Sequence, residues 1–464
     1  MSSSKQHRRT ARQPKAANEL KDTGVAAGTS KEAPRGSSAP EATAPRAGQH
    51  QRERNSIKGI LLSLTVATAG ILLMRAFDKF YLPGRKMDTL SVPKDCWKIA
   101  DIHGPEDIEI STEHNLAFIS SDDRSWRASS WYFHRPSTKT ETNGGIFSLL
   151  LHNDRKGGSR EVKLVNYPLD DFHPAGMSIY SHNDPHTRKR LHRLFVINHS
   201  HKGDRVELFD YNSRDNSLAY VRSVESSDFT APKGIVAVDI DRFYITNQNA
   251  MGTKYGKFVE DAASLALGSI VYYNGQETRK VLRYLKNPSG IARSADNSQL
   301  YVASFSDRVV HIYNRTGDAM AGELEKDDDV WVGNYVEHLT IDDVTGDIYV
   351  ASHPSYSAYL RHRLGYLPQA PSHIVKLERL VPEHFLHPDE PVGLPKLAEE
   401  TRFVKWEVRD LYYSRGDDIS ASSVAAVHNQ QLILGSSTGH HLLQCNLHLH
   451  AQVQEREQEQ ASKG

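Results

Sequence analysis

"EHLTIDDVTGDIYVASH", residues 337–353, decides the fold. Leu339 and Ile341 alternate with polar residues, DDVTGD supplies turn chemistry, and the apolar run 348–351 ends in Ser352 and His353. Alternation with period two on both sides of an Asp/Gly turn predicts a β-hairpin. Five other stretches have the same form: EDIEISTEHNLAFISS (106–121), AGMSIYSHNDPHTRKRLHRLFVINH (175–199), KGIVAVDIDRFYITNQ (233–248), SGIARSADNSQLYVASF (289–305) and SSVAAVHNQQLILGSS (422–437). Their matched positions, Phe118, Phe195, Tyr244, Tyr301, Tyr349 and Ile433, lie 48 to 84 residues apart, enough for one four-stranded sheet per interval. Repeated antiparallel sheets at such a period predict an all-β, six-bladed β-propeller over residues 95–448.

In that ring the residues ahead of each inner strand point into a central tunnel: Glu106 and Asp107, Ala175, Lys233 and Gly234, Ser289, Glu337 and His338, and Ser422 and Ser423. Carboxylates converging in a tunnel must be paired, metallated or protonated, because an unpaired buried charge is costly. One reading makes Lys233 the centre of an internal ion pair with the acids. A second makes Glu106, Glu337 and His338 a carboxylate and imidazole set suited to Zn²⁺ or another transition ion. The chain has two cysteines, Cys96 and Cys445, where the first and last strands of a closed ring meet, and a disulfide between them would clasp it.

The rest of the chain places this propeller. Formal net charge is zero, so no global field draws the protein to nucleic acid, and none is expected as a partner. Residues 1–57 are basic and rich in Ser, Ala, Pro and Gly, with too little apolar surface to offset the entropy of ordering, and read as a disordered cytosolic tail. Residues 59–74 carry no charge and sit between Lys58 and Arg75, which predicts one transmembrane anchor over 58–76 followed by a linker, 77–94. The basic flank stays cytosolic, giving a type II protein with its propeller in the endoplasmic reticulum lumen or outside the cell. Sequons at Asn198 and Asn314 are readable on that side, and residues 449–464 form a polar tail.

The stretches EDIEI…LAFISS, HPAGMSIY…LFVINH, GIVAV, LALGSIVYYNG and VTGDIYVASHP, with the terminal cysteine pair, resemble the paraoxonase/arylesterase family of calcium-dependent lactonases and esterases from about Cys96 to Leu447. The resemblance implies a membrane-tethered hydrolase of aryl esters or lactones with tunnel calcium. Its calcium ligands fall on Glu106, Asp107, Lys233 and Gly234, Ser289, and Glu337 and His338. Glu106 and Asp107 keep the family's first-blade acids, whereas Lys233, Gly234, Ser289, Glu337 and His338 replace its Asn or Asp residues. Of the family's histidine dyad one member is Ala175 here, and the other is kept as His199. His353 keeps the family's His before Pro. His199 and His353 are therefore the candidate catalytic bases, and Glu106, Asp107, Ser289, Glu337 and His338 the candidate metal ligands. Two functions follow: a small-molecule ester or lactone hydrolase using a tunnel ion, or a non-catalytic propeller serving as a tethered binding or chaperone module. Calcium is the cofactor the resemblance implies, and a transition metal or none are the alternatives.

Overall fold

The computed structural model describes residues 47–81, 93, 95–124, 142–151, 158–168, 171–184, 188–380 and 405–447. Residues 1–46 of the expected tail 1–57, the polar tail 449–464 and residue 448, the expected end of the propeller, lie outside them. Two compact units divide the chain at Leu64 and Thr65, and the propeller belongs wholly to the second. Helix α1, Ala47–Tyr81, contains a stretch, Lys58–Phe80, long and apolar enough to cross a membrane. It begins inside the segment expected to be disordered and runs past the expected end of the anchor. The linker reading is corrected at its start, because the last turn is held by contacts: Phe80 packs edge-on to Tyr356 at 5.1 Å, and the Lys79 carbonyl accepts from the Tyr335 hydroxyl at 3.0 Å.

Six sheets follow. The first blade is β2 (Pro105–Ser111), β3 (Leu116–Ser121), β4 (Gly145–Leu150) and β5 (Ser159–Glu161). The second has five strands, β6 (Lys163–Val165), β7 (Pro174–Asn183), β8 (Arg190–Ser200), β9 (Gly203–Asn212) and β10 (Ser217–Glu225), with β6 added in parallel at its outer edge. The third is β11 (Pro232–Asp239), β12 (Arg242–Asn247), β13 (Gly268–Tyr273) and β14 (Thr278–Leu285), with helix α2, Lys254–Ala263, between its second and third strands. The fourth is β15 (Pro288–Arg293), β16 (Gln299–Ser304), β17 (Val309–Thr316) and β18 (Glu323–Trp331). The fifth is β19 (Tyr335–Ile341), β20 (Ile348–His353), β21 (Ser372–Leu380) and β22 (Lys405–Ser414), with helix α3, Tyr356–Arg363, after β20. The last is β23 (Val424–His428), β24 (Gln431–Gly435) and β25 (His441–Asn446), completed by β1 (Cys96–Ala100).

The inner strands β2, β7, β11, β15, β19 and β23 touch in that order and β23 returns to β2, which closes the ring. An apolar cluster fills each of the six junctions between blades. Phe195, Ile197, Phe243 and Ile245 lie between the second and third blades, and Val310, Ile312, Val350 and Val375 between the fourth and fifth. Period-two alternation supplies both faces of every blade, so each sheet is buried twice and no single blade is stable alone. In the last blade β1 pairs with β25 in the register Cys96 to Cys445, and the two cysteines form a disulfide with Cα atoms 4.1 Å apart.

Candidate functional site

A recurring bulge builds the tunnel mouth. The pairing of the first two strands skips from Pro105 to Ile108, Pro174 to Met177, Pro232 to Ile235, Pro288 to Ile291 and Val336 to Leu339. Proline opens four of these strands, where its missing N–H leaves no gap in the ladder, and the next two residues bulge inward. The sequence places these residues ahead of the strands, whereas they lie within them. Glycine is the second bulge residue where neighbouring blades come closest. A side chain at Gly234 would lie 2.5 Å from the Ser289 carbonyl, and one at Gly290 2.7 Å from the Cα of His338.

Lys233, on the third blade's bulge, reaches across the mouth and bonds two carboxylates. Its Nζ pairs with Glu106 Oε1, and with Glu337 Oε1 at 3.1 Å. The other oxygen of each acid is also taken. Glu106 Oε2 accepts from Arg124 Nε at 2.7 Å, and Glu337 Oε2 lies 2.5 Å from His353 Nε2. Glu106 is 4% and Glu337 2% exposed, so these charges are screened by each other and hardly by water. Burial works against the ionised forms throughout. Even so, Arg124 and Lys233 hold the Glu106 carboxyl well below the usual carboxylate range. Burial likewise opposes ionisation of Glu337, which Lys233 and His353 pull down to about 2. For Lys233 burial favours the neutral amine, and the charges of Glu106 and Glu337 outweigh it to raise the pKa above the ordinary lysine value.

Helix α3 covers this network. Ser355 caps it by accepting from the Ala358 N–H at 3.3 Å, and Tyr359 stacks on the buried His353 ring at 4.1 Å between centroids. Arg363 donates to the Tyr359 hydroxyl at 2.7 Å. Tyr356 on the same helix meets Phe80 and the Lys79 ammonium, 4.4 Å from its ring, so the end of α1 and the tunnel cover share one aromatic cluster.

Deeper in the tunnel the Asp107 carboxylate ties the first blade to the second, accepting from Ile108 N at 3.0 Å and from Met177 N at 2.7 Å. His338 Nδ1 lies 3.6 Å from Asp107 Oδ1, and its buried Nε2 has no hydrogen-bond partner among the described residues. Below them is a cavity of about 80 Å³ lined by Asp107, Glu109, Ser178, Arg293 and His338 among others. Burial and then the Asp107 charge push the Glu109 carboxyl from 4.5 up to about 8, against a hydrogen bond from Ile179 N at 2.9 Å. A carboxyl raised by folding gives stability that is full below its unfolded value and lost as pH rises through its folded value. The melting temperature should therefore fall between pH 5 and 8.5. Glu109→Gln should flatten that slope, leaving the part due to Asp107, which burial also raises. An unchanged slope in Glu109→Gln would remove this assignment.

The five expected metal ligands do not assemble as a ligand set. Calcium takes six to eight hard oxygens. Here Glu106 and Glu337 are engaged by Lys233, Arg124 and His353, and Ser289 Oγ donates to the Glu337 carbonyl at 2.7 Å. Gly234 brings no carboxylate towards Asp107. An ammonium at the focus of the two carboxylates does not fit calcium, and it equally displaces the zinc reading of Glu106, Glu337 and His338.

His199 is not part of this network. It sits on β8 with Nδ1 2.7 Å from Asp204 Oδ1, while His353 is fully buried against Glu337 and Tyr359. The sequon at Asn198 is corrected: the residue is fully buried and its amide donates to the Tyr167 hydroxyl, the Asp171 carbonyl and Glu207 Oε1, each at 3.1 Å. Asn314 is half-buried on β17 and bonds Asp327 at 3.2 Å. Two members of the mouth escaped the sequence reading. Arg124 lies in an irregular segment after β3, where spacing carries no signal, but Tyr359 follows His353 in the aromatic stretch YSAYL, which could have pointed to a cover.

The arylesterase family model matches residues 93–381. The chain is 27% identical over 389 residues to serum paraoxonase/arylesterase 2 of Gallus gallus, covering 83% of this chain and 98% of that one. It is 25% identical over 392 residues to serum paraoxonase/lactonase 3 of Homo sapiens, covering 84% and 98%. Among solved structures, a luciferin-regenerating enzyme is similar over 75% of this chain and 94% of its own, at 11% identity and a TM-score of 0.41, too slight a likeness to carry an argument.

Proposed function

We propose, from the premise that the chain belongs to the arylesterase family, that it is a membrane-tethered propeller whose tunnel works without calcium and which serves as a binding or chaperone module. The observation that carries this is the Lys233 ammonium bonded to both Glu106 and Glu337, under the cover of α3. In this reading the tunnel charges are structural: they fix three blades to one another and leave no oxygen cluster to polarise an ester carbonyl. The apolar stretch of α1 anchors the protein in type II orientation, with the propeller on the oxidising side and Asn314 as its sequon. Protease added to sealed membranes should then remove the N-terminal tail and spare the propeller. Digestion of the propeller from the cytosolic side would reverse the orientation.

The family match favours a second reading, hydrolysis of aryl esters or lactones. The full chain in detergent, assayed against a panel of both with and without added calcium, separates the two. The closed-tunnel reading expects rates at background that calcium does not raise. Turnover stimulated by calcium would overturn it, and turnover indifferent to calcium would support hydrolysis by a metal-free route.

A further inference from the structure

We propose that Asp171, His173 and His201, at the edge of the second blade, form a binding site for Zn²⁺ that is separate from the tunnel ion pairs. One ligand atom from each, a carboxylate oxygen and two ring nitrogens, lies within 4.8 Å of the others. A tetrahedral zinc site needs about 3.3 Å between ligand atoms at the usual bond lengths. Two of the three ligands are already fixed, and the exposed His201 ring is the one that closes on the ion.

The supports around the ligands are those of a built site. Asp171 Oδ2 accepts from Ser200 Oγ at 2.5 Å and Oδ1 from the His201 N–H at 3.0 Å, so the carboxylate is aimed by the same turn that carries His201. The His173 backbone is pinned from both sides: its N–H donates to Asn198 Oδ1 at 2.8 Å, and its carbonyl accepts from the His199 N–H at 3.1 Å. His173 itself is 1% exposed. Its Nε2 is 4.0 Å from Asp171 Oδ1, while Nδ1 is 3.3 Å from Oδ1 of Asp122. A carboxylate on the far nitrogen of a ligating histidine sets the tautomer and presents the other nitrogen to the metal. Asp122 is 1% exposed, and its Oδ2, 3.9 Å from Arg124 Nε, has no hydrogen-bond partner among the described residues. Arg124 is one cation for that buried charge, and an imidazole bound to zinc would be a second, on its other oxygen. Two imidazoles, one carboxylate and an open side towards solvent leave a position for water, the donor set of a three-ligand zinc site. Asp171 and His173 lie just before β7 and His201 just after β8, so the pairing of these two strands brings the three residues to one end of the blade.

The test is zinc titration of the full, untagged chain in detergent, with Co²⁺ absorption as a second readout. Wild type should take up one Zn²⁺ tightly, and Co²⁺ should give visible d–d absorption. His201→Ala, a change at an exposed position, should weaken binding at least ~100-fold and abolish the cobalt band, with metal-free melting unchanged. Asp122→Asn should weaken it roughly tenfold through the orientation of His173. The chain has 24 histidines, so some zinc will bind elsewhere, and the difference between wild type and His201→Ala is what counts. Equal titrations of those two proteins would overturn the proposal.

Discussion

Lys233→Met should destabilise the propeller by about 3–5 kcal/mol, the usual result of removing one partner from a buried ion pair. The methionine fills much of the lysine stem's volume, so the effect is electrostatic. It leaves Glu106 and Glu337, both nearly inaccessible to water, facing each other without the ammonium that bridged them, each keeping one direct partner, Arg124 or His353. For a domain of this size the loss amounts to roughly 4–7 °C in melting temperature. Calcium distinguishes this account from a metal site. Wild type should melt at the same temperature with and without calcium, whereas Lys233→Asn should gain stability when calcium is added, because it exchanges the ammonium for a neutral oxygen donor. A wild type that melts higher in calcium, with a Lys233→Met variant that behaves like it, would show that the lysine is not the tunnel's cation.

Replacing both Cys96 and Cys445 with serine should destabilise the protein by about 5–6 kcal/mol in the chain-entropy model. The two residues are separated by 349 positions, so the disulfide removes the freedom of almost the whole propeller from the unfolded chain. It also holds a short element. The strand β1 has five residues and, among the described residues, is paired to the ring through β25 alone, at the sheet's edge. The measurement is the denaturant midpoint of the double variant against wild type. A shift worth under about 1 kcal/mol would mean that the last blade is closed by packing alone.

The ring was legible because each blade repeats one pattern that depends only on local rules. Leu339 and Ile341 alternate with polar residues, a turn follows, and residues 348–351 fill a face, and the same reading locates all six inner hairpins. The tunnel residues Glu106, Lys233, Ser289 and Glu337 were legible for the same reason, as the residues beside equivalent strands. Their exact setting was not, because a bulge is a register event between two strands and single-strand periodicity does not record it. Arg124 illustrates a second limit. It reaches Glu106 from a segment with no periodicity, and only the closed ring brings it there. The sequon at Asn198 failed for a third reason: the motif is three residues long, but burial against Tyr167 and Glu207 is set by the pairing of β8 with β9 and by the segment before the blade's inner strand. The end of α1 shows the same dependence, since Lys79 and Phe80 find partners on residues 261–356.

The central claim, that a lysine ammonium stands where the family's calcium would be held, is tested most directly by a crystal structure of the chain grown in calcium. An anomalous difference map at the tunnel mouth is the measurement. The account predicts no calcium peak between Glu106 and Glu337, with Lys233 Nζ in hydrogen-bonding reach of both carboxylates. A peak there coordinated by Glu106 and Glu337, with the Lys233 side chain turned away, would contradict it.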